Sequence, residues 1–228
     1  MSKQAKPIRR VSQTSKKKNN WLLIAGGTVV GAIVMFGLLF LALREPPVQT
    51  LASYCNANPD RCEPSGDNDA PVTVVEVSDY GCSHCRDFNL EKASLLHEQY
   101  VATGDVKWVF LPFSLDDTRQ PAAEAAMCAG DQNKFPEYHY ALFALQNSPQ
   151  AFTREGYLSA AQTAGIPDIA TFTECMDSRE YRSIVQENRS AARRAGVTGT
   201  PTFYINDVKV EGNRPLSDFQ QLIGSLIN

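Results

Sequence analysis

Cys82 and Cys85 are the residues whose type and spacing most directly specify chemistry in this chain. They stand three apart in Gly81-Cys82-Ser83-His84-Cys85, after the β-branched run VTVVEVSDY that starts at Val72 and before a stretch of helical composition reaching about Tyr100. A cysteine in the first turn of a helix sits at the positive end of the helix dipole, so its thiolate is stabilised and its pKa falls. A second cysteine three residues on lies about one turn away and can attack a mixed disulfide to release a bound substrate. The same spacing is also half of a zinc site, and with His84 between the sulfurs it could hold copper or zinc. However, no second Cys-x-x-Cys follows, and the only other histidines are His97 and His139. Redox exchange without a resident cofactor or metal is the expected chemistry. A Cys/His metal-binding chaperone module is the non-enzymatic alternative.

The elements that must position this pair are legible as alternating patterns. Near-continuous apolar character from Val72 predicts a strand buried on both faces, with Glu76 as its one ionisable member before Asp79. A carboxyl in such a strand is expected to have a raised pKa. The following helix should turn Phe88, Leu95 and Leu96 inward, and Gly104-Asp105 leads into a second strand over 106–113, completing a β-α-β unit. Residues 116–195 read as helix after helix, with Tyr138, Leu142 and Leu145 at helical spacing and Arg193 and Arg194 before Gly196 at a helix end. GTPTFYINDVKVEG then predicts two short strands with a turn at Asn206-Asp207. An amphipathic helix follows Pro215, with Leu216, Phe219, Ile223, Leu226 and Ile227 on one face.

The N-terminal quarter differs in character. Residues 1–20 form a basic arm, and Trp21 to Leu43 run 23 residues without a charge. As an α-helix that run would span ~34 Å, enough for the hydrocarbon core of a bilayer. Arg44 stands where a cleaved signal would need a small residue, so a retained anchor is expected, with a cytoplasmic N-terminus and the domain outside. The net charge of −3 hides 8 bases and no acids in residues 1–44, which leaves 14 bases against 25 acids, a net of −11, in residues 45–228. A domain that acidic repels nucleic-acid phosphates. Residues 44–70, rich in Pro, Asp, Asn and Ser, are expected to be a linker, and the close spacing of Cys55 and Cys62 within it permits a local bridge. Six cysteines in an exported domain favour disulfides, with 15 pairings open.

The segment VVEVSDYGCSHC, followed far downstream by VTGTPTFYIN, resembles the DsbA-like branch of the thioredoxin superfamily over roughly residues 70–227. The resemblance implies a thioredoxin-like α/β fold over 71–228 with a helical insertion at about 116–195, preceded here by the single transmembrane helix. It implies that Cys82 is the exposed nucleophile and Cys85 the buried resolving thiol. Pro201 matches the family's cis-proline loop with Thr200 before it, and Glu76 occupies the place of a buried acid beneath the resolving cysteine, which implies that it takes the proton of Cys85 as that thiol attacks. His84 matches the oxidase members, where it stabilises the Cys82 thiolate and makes the disulfide more oxidising. Ser83 departs from their usual proline, and Thr200 also occurs in isomerases and reductases, so a reductase or isomerase is the alternative direction. Related sequences imply a structural bridge between Cys128 and Cys175. The implied partners are exported cysteine-containing proteins as substrates and a membrane quinone-linked oxidase of the DsbB or vitamin-K-epoxide-reductase type for recycling.

Overall fold

The structure, a computed structural model, describes Met35 and residues 50–227. Apart from Met35, the basic arm and the apolar run expected to anchor the chain lie outside the described residues. Among the described residues no helix is long and apolar enough to cross a membrane.

Five strands form one sheet in the order β1-β3-β2-β4-β5. They are β1 (Glu63–Ser65), β2 (Val72–Ser78), β3 (Val106–Pro112), β4 (Thr202–Ile205) and β5 (Val208–Glu211). β2 and β3 run parallel, and the other pairings are antiparallel. The central position of β2 explains its unbroken apolar sequence, because both of its faces are covered. Alternation along the strand divides them: Val72 and Val74 face one core, while Val75 and Val77 face another. Glu76 therefore lies on the face of Val72 and Val74.

Helix α1 is Leu51–Ala57, and α2 runs from Ser83 to Val101. The insertion comprises α3 (Gln120–Gly130), α4 (Phe135–Leu145), α5 (Arg154–Ala164), α6 (Ile169–Ser178) and α7 (Arg182–Arg194), and α8 is Leu216–Ile227. On the first face α2, α3, α4, α5, α6 and α8 build a core that includes Phe88, Trp108, Phe110, Tyr138, Phe172, Phe203 and Phe219. On the second face α1 and α7 cover Val75, Val77, Val109 and Leu111.

Two expectations are corrected. Residues 51–65 are folded domain rather than linker: Thr50 caps α1 by accepting a bond from Ser53 N at 3.2 Å, and β1 pairs with β3 as an edge strand. Leu51 is fully buried, and Cys55 and Cys62 are bonded with a Cα–Cα distance of 5.5 Å, so apolar anchoring and a covalent staple overcome the linker-like composition. Leu95 is 48% exposed instead of inward. The cause is the winding of α2, whose α segments Ser83–Phe88 and Ser94–Leu96 alternate with π segments Asn89–Ala93 and His97–Val101. The wider π turns shift the inward face to Ala93, Leu96 and Tyr100.

Cys128 and Cys175 join α3 to α6 with a Cα–Cα distance of 5.9 Å.

Candidate active site

Cys82 occupies the N-cap of α2, with the extended backbone (φ −88°, ψ 120°) usual for that position. The loop before it is shaped by Asp79, which is 1% exposed and was not singled out from the sequence. Its carboxylate accepts from Gly81 N and Leu115 N, both at 2.6 Å, and its carbonyl accepts from Cys82 N at 3.0 Å. An Asp two residues before a Gly is a local turn signature that could have revealed this role. A Cβ at Gly81 would lie 1.8 Å from the flexible side chain of Arg119, which would have to move to admit it.

The two sulfurs are a dithiol in unlike surroundings. Cys82 is partly exposed, whereas Cys85 is completely buried. Cys82 Sγ as a thiol donates to Thr200 O at 3.3 Å, and Asp79 N donates to Cys85 Sγ at 3.5 Å. The Cys82 pKa is drawn down to about 5. The bond with the Cys85 side chain contributes most; burial opposes it, and Thr200 and the backbone N–H groups of Cys85 and His84 add to the lowering. Burial pushes Cys85 well above the usual thiol range, and its bond to Cys82 raises it further. Near neutral pH the site thus holds an accessible thiolate beside a buried thiol, the division of labour that exchange requires.

The other expected residues gather at this place, with two changes of detail. The Thr200–Pro201 bond is cis, and Thr200 lies beside the sulfurs with its Oγ1 buried. His84 is exposed, and among the described residues no hydrogen bond joins its imidazole to Cys82 Sγ. Its contribution here comes from its backbone N–H, because the side chain leaves the helix toward solvent. Since Cys85 is fully buried and His84 exposed, these two do not converge as ligands. Among the described residues no group of three or more His, Cys, Asp or Glu gathers around a common point.

Glu76 is 1% exposed, as expected, but its pKa is lowered rather than raised. Burial pushes the carboxyl up, and the imidazole of His139 at 3.7 Å together with bonds from Ser78 and Asn89 outweighs it. Ser78 Oγ donates to Oε1 at 2.5 Å, Asn89 Nδ2 to Oε1 at 2.7 Å, and Trp108 Nε1 to Oε2 at 3.0 Å. Donors aimed at a carboxylate favour its charged form, which the apolar sequence of the strand could not disclose. Among the described residues no hydrogen bond joins Glu76 to either sulfur. The link runs through Asn89, whose Nδ2 also donates to Cys85 O at 3.1 Å. Asn89, His139 and Gln146 complete the surroundings, and no local sequence signal marks them because they arrive by tertiary packing.

A thioredoxin family model matches residues 63–225. Disulfide bond formation protein D of Bacillus subtilis is 29% identical over 164 residues, covering 69% of this chain and 73% of that protein. A Na(+)/H(+) antiporter NhaA 1 of Salinispora arenicola is 31% identical over 199 residues, covering 81% of this chain; the chain spans only 29% of that relative's length. Among solved structures, oxidised BdbD from Bacillus subtilis superposes with a TM-score of 0.65 at 24% identity, covering 72% of this chain and 92% of that one. Chlamydia trachomatis DsbA gives 0.65 at 20% identity, over 72% and 90% of the two chains. At these identities the two structures establish a DsbA-type fold. With its Cys82–Cys85 pair set as in a thiol–disulfide oxidoreductase, the chain belongs to the thioredoxin family.

Proposed function

We propose that this protein is an extracytoplasmic disulfide oxidase that introduces disulfides into exported proteins through Cys82 and Cys85. The observation that carries the reading is the stabilised thiolate at Cys82. Stabilising the reduced form makes the corresponding disulfide a stronger oxidant. A thiolate with a pKa of about 5 favours the reduced form by up to ~100-fold at pH 7, or about 60 mV for a two-electron couple, less the screening of a half-exposed sulfur.

In the donor direction, a substrate thiolate attacks Cys82 Sγ of the Cys82–Cys85 disulfide. The substrate–Cys82 bond forms, the Cys82–Cys85 bond breaks, and the electron pair passes to Cys85, which takes up a proton. A second substrate thiolate then attacks the substrate sulfur, closing the substrate disulfide and expelling the Cys82 thiolate. Two electrons have moved from substrate to enzyme. Attack by Cys85 on the mixed disulfide returns the substrate reduced, so that route belongs to the reductase or isomerase direction and to reoxidation of the enzyme.

The uncharged run 21–43 and the basic residues before it support a single-pass anchor with the catalytic domain outside. A membrane quinone-linked oxidase of the DsbB or vitamin-K-epoxide-reductase type would restore the Cys82–Cys85 disulfide in the same bilayer. Equilibration of the domain with glutathione tests the direction of flow. The expected potential lies near the −120 mV scale of strongly oxidising members, and a value near the thioredoxin scale of about −270 mV would overturn the donor reading in favour of a reductase.

A further inference from the structure

The helical insertion reaches the redox loop through two side chains on one face of α4. Gln146, just past the end of that helix, donates to Tyr80 O at 2.7 Å and to Cys82 O at 2.9 Å. Two turns earlier, His139 is 3% exposed and lies between the loop and Glu76. Its Nδ1 is 2.8 Å from Tyr80 Oη, and its Nε2 is 3.0 Å from Asn89 Oδ1 and 3.7 Å from Glu76 Oε1. Asn89 closes the circuit by bonding both Glu76 and the carbonyl of Cys85.

We infer that His139 is a positioning residue for closure of the Cys82–Cys85 disulfide: it holds Glu76 as the carboxylate that accepts the proton of Cys85. The inference rests on the exchange activity proposed above. Reoxidation has a defined proton requirement. The Cys82 thiolate first attacks a disulfide oxidant, giving a mixed disulfide and releasing one thiolate. Cys85 then attacks Cys82 Sγ; the Cys82–Cys85 bond forms, the bond to the oxidant breaks, and the second thiolate leaves. Cys85 enters this step as a buried thiol, so its proton must pass to a base inside the domain. Glu76 is the carboxylate tied to Cys85 through Asn89.

Of the groups bonded to or facing that carboxylate, Ser78, Asn89 and Trp108 supply dipoles only, whereas an imidazole can supply a full charge. The hydrogen bonds around His139 accommodate both of its protonation states. Nε2–H donates to Asn89 in either case, and the Tyr80 hydroxyl donates to a neutral Nδ1 or turns to accept from a protonated one. Burial keeps Tyr80 protonated, so it remains available for both arrangements. The other titratable groups around the ring are His97 at the far end of α2 and Tyr140 beside it on α4. Burial lowers His97 to about 4 and raises Tyr140, so both are uncharged near neutrality. β3 presents Phe110, and α4 itself presents Phe135 and Phe143. Asp79 spends its carboxylate on the N–H groups of Gly81 and Leu115. Glu76 and His139 thus face each other as a pair. A small cavity bordered by Glu76, Ser78, Tyr80 and His139 has room for about one water beside the carboxylate.

The test is the closure rate of a Cys82–glutathione mixed disulfide, followed from pH 3 to 8 in the parent and in His139→Gln, with near-UV circular dichroism to verify the fold. Without the imidazole, burial raises the Glu76 pKa. The acid limb of the profile should then move up by about one pH unit, making closure up to ~10-fold slower at the acid end of the range, while the thiolate absorbance of Cys82 titrates as in the parent. Adding His139→Gln to a Glu76→Gln protein should change nothing further. A profile superimposable on the parent's, or additional slowing in the Glu76→Gln background, overturns the inference. If His139→Gln does not fold, NMR titration of the parent decides: Glu76 and His139 responding in one coupled step supports the pairing, and independent steps overturn it. Failure of the activity itself would look different, as a parent protein that forms no mixed disulfide at Cys82 at all.

Discussion

The two faces of the central sheet share the same strands yet bury different kinds of group. Beneath Val72, Val74 and Glu76 lies a polar circuit of Glu76, Asn89, His139 and Tyr80, enclosed by aromatic rings and adjoining the buried sulfur of Cys85. Beneath Val75 and Val77 the packing of α1 and α7 is apolar, stapled by Cys55–Cys62, and its buried Asn188 is bonded to Tyr54 Oη and to the carbonyls of Arg61 and Pro112. One face therefore carries groups whose protonation and bonding can change, and the other carries groups with fixed partners. The contrast shows how a fold keeps the reactive sulfurs apart from the Cys55–Cys62 staple, while the Cys128–Cys175 bridge shares their core.

The largest test of that contrast removes sulfur from each face. Cys82→Ser should lower exchange by more than ~10³-fold, with the unfolding midpoint of the reduced protein falling only by what the Cys82 thiolate contributes to it. Replacing both Cys55 and Cys62 by Ser should do the reverse: exchange within about twofold, and about 2 kcal/mol of stability lost from releasing a short loop. Loss of exchange in the double serine protein would break the separation of the two faces. A smaller effect is expected from Glu76→Gln, which should slow closure and release of mixed disulfides by ~10- to 100-fold with the fold intact. Unchanged single-turnover kinetics across pH 6–8 would remove Glu76 from the mechanism.

The smallest effect is a linkage. The lowered pKa of Cys82 stabilises the folded dithiol form, fully so above the ordinary thiol value near 9, and this contribution is lost as pH falls through about 5. The disulfide form lacks this ionisation. The melting temperature of the reduced protein relative to the oxidised protein should therefore decline as pH is lowered from 8 to 4. A gap that stays constant over that range would mean that Cys82 ionises no more readily in the fold than in the unfolded chain.

Cys82 and Cys85 were legible because their meaning is written in short spacing between a strand and a helix, and Glu76 and Pro201 because the motifs around them resemble the family's. The insertion was legible as a block of helices, though not the return of α7 to the second face. Composition misled at residues 51–65, where prolines and asparagines suggested a linker while Leu51, Tyr54 and two cysteines were enough to fold it. His139 and Gln146 could not be read at all. Their bonds to Asn89, Tyr80 and Cys82 cross 50 to 66 positions of sequence, and only the docking of α4 brings them together. The direction of the Glu76 shift failed for the same reason, since the donors that reverse it come from α2, β3 and α4 as well as from β2 itself.

The mixed winding of α2 also bears on how its length can vary. Each five-residue turn holds one residue more than an ordinary α turn, so the helix carries spare chain between Phe88 and Ser94. Deleting exposed Glu91 would let that stretch relax to regular winding and keep Leu96 and Tyr100 against the sheet, whereas the same deletion in a uniform α-helix would swing everything beyond it by about 100°. Relatives of unequal length in this helix can thus preserve the same redox chamber, and gaps in their alignment belong at this turn.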